Sequence, residues 1–405
     1  MSPQDPSRLV FGAAQVITEE ELAERAARSR PLRVKLGLDP TAPHVTLGWA
    51  VPLRKLRQFQ DAGHQAVLIV GDFTARVGDP SGKSETRPRL NAEVVRANAE
   101  RVLGQFGRIL SQERLEVRYN SEWLESMSME DVLRMTASYT VARMLERDDF
   151  AKRFAEQRPI SLMEFMYPLL QAMDSVAVEA DVELGGHDQL FNLLVGRDLQ
   201  REHGQEPQIV LTMPLLIGLD GTRAMGQSLG NYVSVDEPPE EMFGKLMSVP
   251  DHLITQYLTL CTDLGPDEVG AVESGLADGS LHPAEAKRRM AREIVRLFHG
   301  GEAAERAEGD FDVKFREREV PPDVPEQPIP KEALRDGLVV LAKLLPAVGL
   351  AESGSEGRRL IEGGGVRLNG EQLMDPGAEL PVEDLVGAVL SVGRRRFVRL
   401  SAPGE

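Results

Sequence analysis

Two short apolar runs with a helical pattern between them constrain the fold of this 405-residue chain more than any other feature. Residues 33–38 and 66–71 are largely apolar, and each run has a glycine at or near one end. Between them, apolar side chains recur every three positions from Leu53, which predicts one apolar side of a helix over residues 47–62. A buried strand, a helix and a second buried strand are typical of parallel strands joined by a crossover helix. We therefore predict an α/β fold built on a parallel sheet.

The rest of the chain divides by composition. A later apolar run, residues 209–217, predicts a further strand that Pro214 would cut short. Residues 235–315 are charged and mostly helical in pattern, and five prolines fall within residues 320–330, which is typical of a semi-rigid spacer. The predicted organisation is an α/β domain over residues 1–234, a helical domain over 235–315, a Pro-rich linker over 316–330 and a terminal domain over 331–405.

Net charge, cysteine content and hydropathy argue against three classes of protein: general polyanion binders, disulfide-bonded proteins and membrane proteins. The formal net charge of −17 argues against a general polyanion binder, although a local basic patch could still hold an RNA. Cys261 is the only cysteine, so no intrachain disulfide can form, which fits a reducing cytoplasm. No apolar run approaches the roughly 18 residues of a membrane span, and the N-terminus lacks a signal-peptide pattern. We expect a cytoplasmic protein without a membrane partner.

Residues 38–49 (Leu-Asp-Pro-Thr-Ala-Pro-His-Val-Thr-Leu-Gly-Trp) join the first predicted strand to its helix. A helix that begins at the carboxyl end of a parallel strand attracts phosphate through its free N–H groups and its dipole. Gly48 would let a nucleotide approach the backbone closely. Taken alone, a segment of this kind is more often an ordinary strand-to-helix turn than a phosphate site.

Residues 78–87 (Gly-Asp-Pro-Ser-Gly-Lys-Ser-Glu-Thr-Arg) place a lysine among small residues, which suits a mobile phosphate contact or a surface loop. The spacing of a P-loop is absent.

Further along the chain, Gln171 and Asp174 come four and seven residues after Tyr167, which puts all three on one face of a helix. A buried amide and carboxylate need partners, either in a core network or in a bound ligand.

Two glycine-containing segments complete the set. In residues 185–192 (Gly-Gly-His-Asp-Gln-Leu-Phe-Asn), paired glycines before Asp188 fit a backbone that passes close to a ribose, or a plain turn. In residues 354–371, a predicted helix with Arg358 and Arg359 precedes a Gly-Gly-Val-Arg-Leu-Asn-Gly hairpin. This helix is either a solvated basic surface or an RNA contact that positions a nucleic acid through its phosphates.

Together these motifs resemble the bacterial tyrosyl-tRNA synthetases, a class I aminoacyl-tRNA synthetase family, over residues 33–398. Asp-Pro-Thr at 39–41, Gly-Asp-Pro-Ser-Gly-Lys at 78–83, Tyr-x3-Gln-x2-Asp at 167–174 and the terminal module all match. The resemblance implies a Rossmann-like catalytic domain, a helical middle domain and a small α+β domain that binds RNA, similar to a ribosomal protein module. Residues 139–147 resemble the family's dimer-interface helix, which implies a homodimer.

The chain departs from both ATP-facing signatures of the family. In the His-Ile-Gly-His signature, the two histidines are replaced by Thr46 and Trp49. In the Lys-Met-Ser-Lys-Ser loop, the two lysines are replaced by Ala224 and Gln227. The resemblance assigns those four groups to the phosphates of ATP, so Arg223 and two basic residues of the 78–87 loop are the nearest substitutes.

The resemblance implies a role for each matching residue. The catalytic set is Thr41, Thr46, Lys83, Arg87 and Arg223. The tyrosine-binding set is Asp39, Thr74, Asp79, Asn120, Tyr167, Gln171 and Asp174. The nucleotide-binding set is Gly48, Gly186, Asp188, Gln189, Met225 and Ser228, and the RNA-binding set is Arg358, Arg359 and Arg367.

Three hypotheses follow from the resemblance and its departures. The first is a tyrosine–tRNA ligase, whose substrates are tyrosine, ATP with its accompanying Mg²⁺, and tRNA, with no tightly bound cofactor and no metal held by the protein. The second is a diverged paralogue that binds tyrosine, an adenylate or RNA without aminoacylating tRNA. The third is a ligase for another amino acid, for which Lys35 and Met173 near the pocket leave room.

Overall fold

The structure is a computed structural model that describes residues 6–28, 30–79, 91–319, 324–335, 337–393 and 396–403. It forms two compact units, Met1–Ala307 and Glu308–Glu405. Among the described residues, no helix is long and apolar enough to span a membrane.

A six-stranded sheet forms the centre of the first unit, in the order β1-β6-β5-β2-β3-β4. All neighbours are parallel except β1, which pairs antiparallel with β6 at the edge. The parallel sheet expected from the sequence is therefore confirmed. Its strands are β1 Gln15–Ile17, β2 Arg33–Leu38, β3 Gln65–Val70, β4 Leu115–Tyr119, β5 Val182–Gly186 and β6 Ile209–Met213.

Helices cover the sheet and extend the unit beyond it. Those up to the end of β6 are α1 Pro6–Val10, α2 Glu19–Ala26, α3 Leu47–Asp61, α4 Thr74–Val77, α5 Ala92–Phe106, α6 Ser121–Leu124, α7 Met129–Ala137, α8 Val141–Met144, α9 Asp148–Ala155, α10 Leu162–Ala177 and α11 Leu190–Glu202. The mostly helical character expected for residues 235–315 is confirmed by α12 Pro239–Met247, α13 Ile254–Cys261, α14 Pro266–Asp278, α15 Pro283–His299 and α16 Gly301–Glu319.

Local sequence explains the β2–α3–β3 crossover. β3 is buried over five of its six residues, as strands of a sheet covered on both faces are. Thr46 caps α3 by accepting a hydrogen bond from the Trp49 N–H, and Leu53 on the apolar side of α3 is fully buried. β6 ends at Met213, directly before Pro214, which has no N–H to donate to a neighbouring strand.

The second unit combines short helices with two small sheets. Its helices are α17 Leu341–Ala347, α18 Gly354–Glu362 and α19 Val382–Leu385. Its strands are β7 Glu326–Pro328, β8 Leu334–Arg335, β9 Leu338–Val340, β10 Val366–Leu368, β11 Glu371–Gln372, β12 Glu379–Pro381, β13 Val389–Val392 and β14 Arg396–Ser401. The expected hairpin is β10–β11, and its two turn residues, Asn369 and Gly370, have φ values of 50° and 86°, as a two-residue hairpin turn requires.

The Pro-rich segment differs from the spacer expected over residues 316–330. Helix α16 continues to Glu319, and Glu326–Pro328 pairs in parallel with β14 as an edge strand of the second unit. Proline is compatible with that position because an edge strand leaves one side of its backbone unpaired. Residues 320–323 of the segment lie outside the described part of the chain.

Candidate active site

A cluster of polar side chains lies where β2 and β3 end. Asp39 follows β2 directly, and its Oδ1 accepts a hydrogen bond from Thr74 Oγ1 at 2.7 Å. Between these groups runs the backbone of Gly71, where a Cβ would lie 2.0 Å from Asp39 Oδ1 and 2.5 Å from Thr74 Oγ1. Only glycine therefore fits at position 71 while this pair of residues is in place.

Helix α10 supplies the opposite wall of the same pocket. Tyr167 donates its hydroxyl hydrogen to Asp39 Oδ2 at 3.0 Å. Two turns along the helix, the Asp174 carboxylate accepts from Trp123 Nε1 at 2.9 Å and from Asn120 Nδ2 at 3.3 Å. Asn120 also donates to Thr74 Oγ1 at 2.9 Å, so one fully buried amide joins both walls.

The two carboxyl groups of this pocket have strongly altered acidity. Burial raises the pKa of Asp39 to about 7, opposed by the hydrogen bond from Thr74 and reinforced by the nearby charge of Asp79. Burial also raises the pKa of Asp174 to about 7, although the Lys35 charge and the Trp123 hydrogen bond oppose it. Both groups therefore titrate near neutral pH, as groups at functional sites often do.

The third side chain of the predicted helical face, Gln171, faces a different set of partners. Its Nε2 donates to Glu183 Oε1 at 3.2 Å, and its Oε1 accepts from Asn192 Nδ2 at 3.1 Å. Asn192 donates in turn to Gln189 Oε1, and Gln189 Nε2 donates to Asp79 Oδ2 at 2.9 Å. The structure thus connects Gln171 to Asp79 through two further amides.

Gly186 and Asp188 lie at the end of β5, beside this amide chain. A Cβ on Gly186 would approach Asp188 Oδ1 to 2.5 Å, so the glycine leaves space for that carboxylate. Asp188 is exposed, and its Oδ2 accepts a hydrogen bond from Gln189 at 3.4 Å. An exposed carboxylate at the carboxyl end of a parallel strand is positioned to accept hydroxyl groups of a ligand.

Thr46, which stands where the family has a histidine, has a structural role. It is 2% exposed, and its hydroxyl oxygen caps α3. Gly48 lies against the second signature loop, since a Cβ there would be 3.5 Å from Met225 Cβ. Thr41 donates its N–H to the Asp39 carbonyl at 2.8 Å in the turn after β2.

The loop at residues 222–231 is held in a defined shape. Asn231 Oδ1 accepts from the Gly226 N–H at 2.9 Å, and Asn231 Nδ2 donates to Asp220 Oδ2 at 2.9 Å. Arg223 Nε also donates to Asp220, at 2.9 Å, so its guanidinium is paired within the loop. Gln227, at a lysine position of the signature, donates through Nε2 to the His44 carbonyl at 2.7 Å.

The structure therefore brings most of the predicted residues to the carboxyl end of the sheet. Ser228 is exposed in the short 3₁₀ turn Gln227–Leu229. Lys83 and Arg87 lie outside the described residues. In the second unit, Arg358 and Arg359 are exposed on α18, and Arg367 is exposed on β10.

Sequence reasoning missed three contributors to the pocket. Trp123 holds Asp174, Gly71 gives Asp39 its space, and Glu183, the buried partner of Lys35, lies beneath Gln171. A polar lysine inside an otherwise apolar strand was the available signal for the last of these. A pocket lined with carboxylates and amide oxygens suits a ligand that brings hydrogen-bond donors and a positive charge.

Comparison with known proteins agrees with this geometry. Residues 27–315 match the family model described as tRNA synthetases class I (W and Y), and residues 341–386 match the S4 domain. The chain belongs to the class I tRNA synthetases of this family. The resemblance inferred from the motifs is confirmed, and so are the α/β fold and the membership of an enzyme family.

Curated relatives share about half of the sequence over nearly its whole length. A tyrosine–tRNA ligase from Moorella thermoacetica is 51% identical over 96% of this chain and 94% of its own length. The tyrosine–tRNA ligases of Geobacter sulfurreducens and Thermotoga maritima are each 49% identical over 99% of this chain, and over 100% and 98% of their own lengths.

Solved structures support the fold independently of close sequence similarity. The tyrosyl-tRNA synthetase of Archaeoglobus fulgidus, solved in complex with L-tyrosine, superposes with a TM-score of 0.61 at 24% identity, over 75% of this chain and 98% of its own. A C-terminally truncated mitochondrial tyrosyl-tRNA synthetase of Aspergillus nidulans has the same TM-score and identity, over 76% and 92% of the two chains.

Proposed function

We propose that this chain is a tyrosine–tRNA ligase, which activates tyrosine with ATP to tyrosyl-adenylate and transfers the tyrosyl group to tRNA. The observation that carries the proposal is the pocket in which Asp39, Asp174 and Tyr167 converge with the partners described above. The curated relatives support it, because proteins that share about half of this sequence bear that name. The same relatives do not favour the non-aminoacylating paralogue.

Different residues of the amino-acid site would bind the two ends of tyrosine. Tyr167, Gln171 and Asp79 would hold the ammonium, and Asp174 would accept the phenol hydrogen bond. Asp39, Thr74 and Asn120 would keep those groups in place through the contacts described above. Phenylalanine would leave Asp174 without its donor, and an unpaired buried polar group discriminates strongly against such an analogue.

The ATP site would lie between α3 and the 222–231 loop. Asp188 would accept the ribose hydroxyls, while Gly48, Gly186, Gln189, Met225 and Ser228 would line the nucleotide. Thr41, Lys83, Arg87 and Arg223 would act on the phosphates, accompanied by Mg²⁺ that arrives with ATP. The buried Thr46, which the resemblance groups with them, would contribute by fixing the start of α3. The reaction needs no covalent nucleophile of the enzyme, so its rate would come from positioning and from electrostatic stabilisation of the transition state.

The terminal unit would supply RNA contacts. Arg358 and Arg359 are exposed on the same short helix, and Ile361 on that helix is buried in the core. Such arginines would contact tRNA phosphates and position the molecule without selecting bases. The match of residues 341–386 to the S4 domain supports this assignment. A cytoplasmic location would follow from the proposed role in protein synthesis.

A homodimer is the expected assembly. Large apolar side chains are exposed on α7, α8, α9 and the start of α10, and an apolar surface of this kind typically marks an interface. They are Met129, Leu133, Val141, Phe154 and Leu162. Light scattering should report a dimer, and Phe154→Glu combined with Leu162→Glu should reduce the mass to that of one chain. A monomeric natural protein would contradict this assignment.

Tyrosine-dependent pyrophosphate exchange tests the function. We expect exchange by the natural chain, and an increase in kcat of about tenfold or more when Ala224→Lys and Gln227→Lys restore two positive charges near the phosphates. The matched control combines Ala224→Met with Gln227→Met, which adds length without charge. Undetectable exchange alongside measurable tyrosine binding would overturn the ligase proposal and favour the paralogue.

A further inference from the structure

A buried ion pair joins two adjacent strands beneath the pocket. Lys35 on β2 and Glu183 on β5 are direct register partners, and their side chains are 0% and 1% exposed. Lys35 Nζ lies 2.8 Å from Glu183 Oε1. Removing two charges from water is costly, and a hydrophobic pair of similar volume often stabilises a fold equally well. Stability alone therefore does not explain this pair.

Every hydrogen-bonding group of the pair has a partner. Lys35 Nζ also donates to Ser175 Oγ at 2.8 Å and to the Gln171 carbonyl at 3.1 Å. Glu183 Oε2 accepts from Ser175 Oγ at 3.0 Å and from Gln208 Nε2. Glu183 Oε1 accepts from Gln171 Nε2. Because a carboxylate only accepts, the amide nitrogen of Gln171 must face Glu183.

That direction continues through the amide relay, which we define as Gln171, Asn192 and Gln189. Gln171 Oε1 faces away from Glu183 and accepts from Asn192 Nδ2, which also donates to Gln189 Oε1 at 2.9 Å. Gln189 Nε2 then donates to Asp79. An amide can reverse its two ends with little change in shape, so only its partners fix its direction. Here the acceptor-only partners at the two ends of the relay are Glu183 and Asp79.

One further contact holds the relay in place, and one glycine lets a helix cover the ion pair. Arg147, which can only donate, approaches Asn192 Oδ1 at 3.4 Å. Helix α11 passes close above the ion pair at Gly196, where a Cβ would lie 2.5 Å from Gln208 Nε2 and 3.3 Å from Glu183 Oε2. The glycine lets the helix backbone cover the network directly.

We propose that Glu183, held by Lys35, is a positioning residue that sets the donor–acceptor direction of the amide relay. With this direction, Gln171 Oε1 and the Asp79 carboxylate both offer acceptors to the ammonium of the substrate. The inference rests on the proposed function, since the ammonium is that of tyrosine. A reversed Gln171 amide would instead turn an N–H toward the ammonium and repel it.

The test removes both charges together, because either charge alone would be left buried without its partner. In the double variant Lys35→Met with Glu183→Leu, the KM for tyrosine in pyrophosphate exchange should rise about tenfold or more, the loss expected when a hydrogen bond to a charged group is disrupted. The kcat and the KM for ATP should change by less than about threefold, as they do when only substrate binding is weakened.

The affinities of two ligands distinguish a positioning role of Glu183 from a purely structural one. Tyramine, which carries the phenol and the ammonium, should lose the same factor in affinity as tyrosine. In contrast, 3-(4-hydroxyphenyl)propanoate, which lacks the ammonium, should bind as it does to the natural chain. The matched control is Gln208→Met, which removes another buried donor to Glu183 but leaves Oε1 paired with Lys35 and Gln171, so tyramine affinity should be kept.

A folded double variant with unchanged tyramine affinity, or one that loses both ligands equally, would overturn the inference. If circular dichroism shows that the double variant does not fold, Asn192→Leu interrupts the relay without touching the ion pair, and the same difference between the two ligands is then decisive. Failure of the proposed function can be distinguished from failure of this inference. In that case the natural chain would show no pyrophosphate exchange, while its binding of tyramine could still be measured.

Discussion

Gln227 Nε2 donates a hydrogen bond of 2.7 Å to the backbone carbonyl of His44, and this contact ties the 222–231 loop to the segment before α3. A lysine of the family signature would stand at position 227, where its charge would face ATP. The glutamine instead connects the two segments that would enclose the nucleotide.

Replacing Gln227 should therefore affect ATP more than tyrosine. In Gln227→Ala, the KM for ATP should rise by a few-fold to about tenfold, which corresponds to the net free energy of one hydrogen bond. The affinity for tyrosine, measured by equilibrium dialysis, should stay the same. Leu229→Ala, an exposed substitution in the same loop, serves as the control and should leave both constants unchanged. Equal losses for ATP and tyrosine would argue against the loop contact as the cause.

Tyrosine binding should depend on pH near neutrality. Burial raises the pKa values of Asp39 and Asp174 to about 7, above the ordinary value of 3.8, so both carboxyls are partly protonated at pH 6 to 7 in the free protein. The ammonium and the phenol hydrogen both favour the anionic forms, and binding should therefore release protons. Affinity should improve as pH rises from about 6 to 8, by up to about tenfold per pH unit for each proton released.

Calorimetry in two buffers of different ionisation enthalpy would count the protons released. The raised pKa values affect folding in the opposite direction: tyrosine affinity should increase with pH, whereas the free energy of unfolding should decrease. Because the folded-state pKa values are raised, the free energy of unfolding of the free protein should fall as pH rises from about 4 to 7 and level off above. A tyrosine affinity that is constant between pH 6 and 8 would contradict the assigned pKa shifts.

Trp123→Phe should move the pH profile toward higher pH. The indole N–H stabilises the Asp174 anion, so its loss should raise the pKa of Asp174 further above 7. At pH 7 the kcat/KM for tyrosine should fall about tenfold, as expected for a lost hydrogen bond to a charged group, and should recover in part at pH 9. Trp49→Phe exchanges the chain's other tryptophan and should leave the pH midpoint of tyrosine binding unchanged.

Gly71→Ala should abolish tyrosine binding while most of the fold survives. The new Cβ would lie 2.0 Å from Asp39 Oδ1, so the Asp39–Thr74–Tyr167 contacts could not persist. We expect a loss in tyrosine affinity of at least about 100-fold, in the range of large disruptive substitutions. Gly244→Ala on α12 is the matched control, because nothing lies within 4 Å of its Cβ position and alanine favours a helix. A Gly71→Ala variant with normal tyrosine affinity would refute the steric argument.

Much of the catalytic fold could be predicted from local sequence. Residues 33–38 form a strand with the expected bounds, because a short, largely apolar run is a local signal of a buried strand. The next helix begins at Leu47, because the capping residue Thr46 is also a local signal. Pro214 ended the later strand as expected. The strand at Glu326–Pro328, within the predicted Pro-rich spacer, has no local signal, because it depends on pairing with β14, which lies far along the chain.

The candidate site was predictable only in part. Helical spacing placed Tyr167, Gln171 and Asp174 on one helix, and all three face the pocket or the network beneath it. Their partners could not be derived in the same way, because Trp123 and Asp174 are 51 residues apart and Lys35 and Glu183 are 148 residues apart. The sequence placed Lys35 near the pocket only as a residue that, with Met173, left room for a different amino-acid substrate.

The direct pairing of Lys35 with Glu183 on neighbouring strands also limits how this protein can evolve. A mutation at either position alone would leave the other charge buried without its partner. The pair could therefore be lost in evolution only if both residues were replaced together or if another substitution compensated for the first. An alignment of relatives should therefore show the two positions covarying. Anyone who transplants this pocket into another scaffold would have to move both residues together.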